Sequence, residues 1–207
     1  MSQTAAAEPL VVFSDHVRPF RCLGRESLSQ LQAAGEEPVE TEWHPFDLRA
    51  RKRDDDGTVD HDVDDGKDEA YFEQVHENVA RLEAEYGVEV GFEEVPEVDS
   101  RNAQQAALYV HEERPERFEA FDDAVFGARW DDRRDVGDPD VLGDVAAGVG
   151  LGAAALREAV ASETWAARLE RSFADAERSG VPTFAHDDHV ARGAVPPSHL
   201  ERLVDGA

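Results

Sequence analysis

Apolar and polar positions along this 207-residue chain change their spacing twice. The chain opens with a loose polar stretch over 1–8, followed by the apolar run Leu10-Val11-Val12-Phe13, which ends at Ser14-Asp15 and predicts a buried strand. Pro19 suits a first helical position, and Leu23, Leu28 and Leu31 recur at helical spacing from Phe20 to Ala34 before Gly35 stops the helix. Val39 to His44 alternates with period two and predicts a second strand. The opening is therefore a βαβ unit, whose strands should lie parallel across a right-handed crossover. Arg49 to Asp68 holds almost no large apolar side chain and reads as a solvated loop.

From Asp68 onward the period becomes helical. Tyr71, Phe72, Val75, Val79, Leu82 and Tyr86 predict one helix, stopped by Gly87. A second, capped by Asp99-Ser100, runs to Glu113, and a third begins at Pro115 with Phe118, Phe121, Val125 and Phe126 on one face. Asp138-Pro139 starts a short helix to Val149, and two more cover 153–161 and 164–178. The period then returns to two. Val181 to Ala185, the turn Asp187-Asp188 and His189 to Ala194 predict a hairpin, and Pro196-Pro197 opens a last helix with Leu200, Leu203 and Val204. This order divides the chain into a discontinuous α/β domain, 9–66 with 179–207, and a helical insertion over 67–178.

Charge narrows the function classes. There are 47 acidic and 21 basic side chains, a net charge of -26. Such a chain is repelled by nucleic-acid phosphates and by anionic membrane surfaces, so neither is an expected partner. No apolar run approaches the ~20 residues of a spanning helix. Met1 to Pro9 lacks the basic and apolar regions of a signal peptide, so the expected location is cytoplasmic. The basic residues comprise 19 Arg and only Lys52 and Lys67, and the acid is spread along the whole length. That pattern fits a folded protein adapted to molar salt, where the Debye length falls to about 3 Å. One cysteine, Cys22, excludes an intramolecular disulfide framework and an all-cysteine zinc site.

Particular residues carry a resemblance. Phe13-Ser14-Asp15-His16-Val17, then Pro19-Phe20 and Leu23-Gly24, resembles the active-site region of the DsbA family, in particular its FrnE-like branch, where a strand ending in Ser-Asp runs into Val-Cys-Pro-Phe-Cys-Tyr-Leu-Gly. Trp43-His44-Pro45-Phe46-Asp47-Leu48, Gly180-Val181-Pro182-Thr183-Phe184 and Arg192-Gly193-Ala194 resemble the family's second strand, cis-proline segment and closing strand. The likeness spans residues ~10–204 and is of haloarchaeal type. It implies an α/β, thioredoxin-like fold with a large all-helical insertion, and the class of thiol-disulfide oxidoreductases. The chain departs from the pattern at the two redox cysteines, where Arg18 and Arg21 stand, while Cys22 falls at the usual Tyr. A dithiol couple needs two thiols with Cα atoms within about 7 Å, so dithiol activity is not expected. The family's Asn-Thr-x-x-Ala-His segment is altered too: Asp99-Ser100-Arg101-Asn102-Ala103-Gln104 keeps Ala103 but loses the Asn and the His.

Each candidate residue has two readings. Arg18 and Arg21 form an anion pocket at the helix N-terminus, or they pair with local acids such as Asp15 or Glu26. Cys22 is a reactive monothiol, or a small packing residue. A cis Pro182 after Val181 offers backbone groups to an extended peptide or a thiol ligand, or it only sets the hairpin. His16 is an acid/base group, or an exposed loop histidine. Pro19 and Phe20 complete the expected substrate-binding set. His186 and His189 bracket Asp187-Asp188 and read as a solvated turn rather than a metal set, as does the loop with Asp54, Asp55, Asp56, Asp60, Asp62, Asp64 and Asp65, which lacks EF-hand spacing. No metal and no cofactor is expected beyond a low-molecular-weight thiol. Within the wider superfamily the layout also resembles 2-hydroxychromene-2-carboxylate isomerases and kappa-type glutathione transferases, which bind such a thiol near the cis proline. Three readings stay open: a thiol-disulfide oxidoreductase without its cysteine pair, a small-thiol-binding isomerase or transferase, and a peptide-binding pseudo-enzyme.

Overall fold

In the sheet, period-two patterning becomes two apolar faces. The computed structural model describes residues 8–17, 20–35, 38–54, 57–60, 63, 69–87, 98–176 and 180–206, with the side chains of Arg21, Cys22 and Phe72 outside that description. Strand β1 (Leu10–Ser14) lies between β2 (Thr41–Pro45) and β3 (Thr183–His186), with β4 (His189–Arg192) on the far edge. β1 and β2 are parallel, while β3 is antiparallel to both β1 and β4. Leu10, Val12, Phe184 and Ala191 share one face with Leu28 and Leu31 of α1 (Phe20–Ala34) and Leu200 and Leu203 of α8 (Pro197–Asp205). Val11, Phe13, Ala185 and Val190 pack on the other face with Val181. A strand buried on both sides must be apolar at every position, as β1 is up to Phe13.

The helical block runs α2 (Glu69–Tyr86), α3 (Arg101–Glu113), α4 (Pro115–Trp130), α5 (Pro139–Gly148), α6 (Ala153–Val160) and α7 (Glu163–Asp175). Its core centres on α3, whose Ala103, Ala106 and Ala107 are fully buried and admit Phe121 and Val125 of α4 closely. Trp43 of β2 enters the same cluster, tying sheet to helices. Leu23 of α1 packs instead on Val79, Leu82 and Tyr86 of α2. No helix among the described residues is long and apolar enough to cross a membrane.

The thioredoxin-like fold and its helical insertion agree with the expectation, and the differences lie at element ends. β2 begins at Thr41 rather than Val39, because Gln32 captures both backbone groups of Val39, accepting from its N–H at 2.9 Å and donating to its carbonyl at 2.6 Å. The hairpin strands stop short at Thr183 and Arg192, where the Gly193 N–H donates to the Pro182 carbonyl at 2.8 Å and Gly193 adopts φ 83°. α7 ends at Asp175, since Ala176 leaves helical geometry at ψ 67°. Asp138 caps α5 as expected, accepting from Asp140 N–H at 2.8 Å. Ser100 does not cap α3: its hydroxyl goes elsewhere, and Asp99 takes the Arg101 N–H at 3.0 Å. His186 departs from the solvated-turn reading, being buried at the end of β3, while His189 opposite it is exposed. Asp55, Asp56, Asp62, Asp64 and Asp65 lie outside the described residues.

Candidate functional site

The turn 15–17 joins the carboxyl end of β1 to the start of α1. Phe13 faces Thr183 in the β1–β3 ladder, which sets this turn beside Val181 and Pro182. The Val181–Pro182 peptide is cis. α1 lies close over it at Gly24, where a Cβ would stand 3.2 Å from both the Pro182 ring and the Phe184 ring. Glycine suits that approach, since a methyl group here would push the two rings back by a few tenths of an ångström.

The end of β1 and the turn are fastened by hydrogen bonds to β2, to α4, to Ser100 just before α3 and to the loop after β2. Ser14 Oγ accepts from Trp43 Nε1 at 2.8 Å, and the His16 carbonyl accepts from Trp130 Nε1 at 2.9 Å. Asp15 is fully buried: Oδ1 accepts from Ser100 Oγ at 2.6 Å and Val17 N–H at 3.2 Å, and Oδ2 from Leu48 N–H at 3.0 Å. Burial pushes its carboxyl above the ordinary range despite those donors. Gln104 clamps the segment that leaves β2, accepting from Phe46 N–H at 3.1 Å and donating to its carbonyl at 2.8 Å. Ser100 and Gln104, both within the altered family segment, thus brace the floor of the site. Ser100→Ala should cost about 1–2 kcal/mol, because a buried carboxylate loses a hydroxyl donor. Chemical denaturation at neutral pH measures it, and an unchanged midpoint would refute this role.

His16 is not an exposed loop histidine. It is 0% exposed, and its Nε2 lies 3.0 Å from Asp122 Oδ1 of α4, which is also buried. Arg25 of α1 reaches the same carboxylate at 3.7 Å and pairs with Asp123. Behind the turn, Arg129 is buried against the Trp130 ring at 5.2 Å. Burial, and secondarily the nearby Arg49, pull its guanidinium below the ordinary value, while Asp135 acts the other way.

The expected site residues divide accordingly. His16, Phe20, Val181 and Pro182 are described, with Phe20 opening α1 and Val181 buried just before β3. Arg18 and Pro19 lie outside the described residues, and Arg21 and Cys22 are placed only as backbone in the first turn of α1. Of the acids considered as partners for the two arginines, Asp15 is occupied as above and Glu26 accepts from Gln30 at 2.8 Å. The sequence does not point to Asp122 and Trp130, nor to the bond between Ser100 and Asp15, as no local spacing reports partners 85 to 114 residues away. Among the described residues no group of three or more His, Cys, Asp or Glu is placed to hold a metal.

A cis proline facing the turn after a parallel β1, with a helical insertion before the closing hairpin, defines a protein of the thioredoxin-like fold. The profile of the DSBA-like thioredoxin domain matches residues 9–205, and the chain belongs to that family. A curated relative, uncharacterized protein YwbO of Bacillus subtilis (strain 168), is 25% identical over 197 residues, covering 93% of this chain and 94% of that protein. Among solved structures, a probable DsbA oxidoreductase from Streptomyces coelicolor matches with TM-score 0.74 at 21% identity, covering 96% of this chain and 90% of its own. A 2-hydroxychromene-2-carboxylate isomerase matches with TM-score 0.75 at 19% identity, covering 96% and 94%. Both likenesses establish the fold.

Proposed function

We propose that this DsbA-like protein binds a low-molecular-weight thiol between Pro182 and the first turn of α1, and does not run a dithiol–disulfide cycle. The observation that carries the reading is the cysteine count. A single cysteine accompanies a cis proline at the family's position, so the binding element is kept where the redox pair is replaced by Arg18 and Arg21. In this reading the two guanidiniums hold the negative charge of a thiolate or carboxylate at the helix start. Any covalent thiol chemistry falls to Cys22, acting as a monothiol. The protein belongs to the FrnE-like branch, comes from a halophile and works in the cytoplasm; the spread of 47 acids supports the second of these. No metal and no further cofactor takes part.

Two assays test the reading. Insulin reduction with a thiol donor should proceed no faster than the uncatalysed rate, and robust turnover would overturn it. Reduced glutathione or an aromatic carboxylate should raise the melting temperature in molar salt, and no shift with any of them would count against a small-ligand groove. A second reading, an extended peptide paired along Val181, is favoured by the backbone that precedes a cis proline. It predicts binding of unstructured peptides without any glutathione-induced shift.

A further inference from the structure

The sheet face turned away from α1 and α8 holds a hollow. Val11 of β1 pairs with Glu42 of β2 on one side and with Ala185 of β3 on the other, so these three side chains stand in one row across the sheet. Phe13 follows on the same face of β1, with the His44 ring 4.7 Å from its own. Ala185 contributes only a methyl group to the row, and an open cavity of about 250 Å³ lies over it. Its floor is apolar: Pro9, Val11, Phe13 and Ala185. Its rim is acidic: Glu8, Glu42 and Asp187, all exposed. Among the described residues no basic side chain lines it, and neither does Pro182.

The placing of the charges sets this hollow apart from the acid spread along the rest of the chain. Glu42 stands on β2, at one side of the apolar row. Asp187 stands at the other, two residues beyond Ala185, where β3 turns into β4. β2 and β3 are two strand spacings apart, about 10 Å. Asp187 Oδ2 also lies 4.0 Å from Nε2 of the buried His186. An inorganic cation gains nothing from the apolar floor, and a neutral apolar molecule leaves the carboxylates unused. The geometry points to a binding site for a short α,ω-diammonium alkane, with its methylene chain on Val11 and Ala185 and its two ammonium groups at Glu42 and Asp187. Each ammonium donates to a carboxylate oxygen, and the chain covers apolar surface that water otherwise meets. Glu8 adds a third carboxylate to the rim. The site is separate from the groove beside Pro182 and does not depend on the small-thiol reading.

The test uses the full chain in molar potassium chloride at neutral pH, with butane-1,4-diamine as probe and nitrogen-15 amide shifts as readout. The diamine should bind saturably at one site, shifting the amides of Val11, Glu42, Ala185 and Asp187. It should bind about three-fold more tightly than butylamine, which has the same chain and one charge fewer. Glu42→Gln and Asp187→Asn should each weaken the diamine about three-fold. Both residues are exposed, and asparagine accepts the φ of 50° that Asp187 holds, so the fold is kept. Glu158→Gln, which removes an exposed acid of α6, should leave binding unchanged, and magnesium chloride at equal ionic strength should not displace the diamine. Displacement by magnesium, an equal loss in Glu158→Gln, or equal affinity for the two amines would mean that the rim acts only as diffuse charge, and each overturns the proposal. So do shifts that fail to saturate or that spread over the whole surface.

Discussion

Arg53→Ala should lower unfolding free energy by about 3 kcal/mol, because it leaves Asp47 buried and uncompensated. Arg53 is 9% exposed at its side chain and Asp47 7%, with Nε donating to Asp47 Oδ2 at 2.6 Å. The other end of the guanidinium forks onto Asp99, Nη1 to Oδ2 and Nη2 to Oδ1, each at 2.7 Å, and Nη1 also reaches the Gly57 carbonyl at 3.0 Å. Burial alone would lower the Arg53 guanidinium, but the Asp99 and Asp47 carboxylates outweigh it and hold it above its ordinary value. Asp99 is 35% exposed at its side chain, so screening discounts its share and the estimate sits at the low end for buried pairs. Arg53→Lys keeps the charge without the fork and should recover only part of the loss.

The pH dependence follows from Asp99. Burial would raise its carboxyl, but Arg53 and the Arg101 N–H hold it below the ordinary value of 3.8. A carboxylate lowered on folding contributes its stability in full above the unfolded pKa and loses it as pH falls through the folded one. The gap between wild type and Arg53→Ala should therefore be constant above about pH 5 and shrink as pH falls below 3.8. Urea unfolding at several pH values measures the gap, and a gap that widened in acid would refute the assignment. The effect reaches the site, since the brace holds the loop whose Leu48 N–H supports Asp15.

The brace also marks where sequence reading stops. Arg53 sits in a stretch that reads as a solvated loop, and it is the distant carboxylate of Asp99 that makes it part of the interior. Apolar periodicity reports which face of an element is buried, so α1 comes out with its observed bounds and the hairpin with its turn. Pro139 and Asp138 mark α5 because a cap is a local event. His16 and Ser100 are different. Their partners, Asp122 and Asp15, lie 106 and 85 residues away, and a polar side chain between apolar strand and helix has no periodicity to show that it will be enclosed. Local rules assign Ser100 to the helix cap, yet a buried carboxylate competes for the same hydroxyl and wins. The motif turn was legible as a place, and its support from α3 and α4 was not. The first turn of α1 is legible only by resemblance, and Arg18, Arg21 and Cys22 rest there on sequence.

Lowering salt from molar to ordinary concentration should cost the fold more than any single substitution above, apart from loss of Arg53. With 47 acids against 21 bases, most carboxylates have no cation to face. The described ion pairs also lie largely at the surface, as with Arg134–Asp144 and Arg157–Asp140. Such pairs contribute little each, so the remaining repulsion is left to the solvent to screen. The Debye length grows from about 3 Å at 1 M to about 10 Å at 0.1 M, wide enough for neighbouring surface carboxylates to feel one another. A fall of about 10 °C in Tm between those concentrations is expected, equivalent to about 3 kcal/mol for a chain of this size. Choline chloride at equal ionic strength should restore most of what potassium chloride does if screening is the cause, while recovery with potassium alone would indicate bound cations instead. The Arg53→Ala cost should change little across the same range, since the Arg53–Asp47 contact is buried and mobile ions do not enter it. A Tm independent of salt, in wild type and variant alike, would mean that the acidic surface is neutralised within the protein itself.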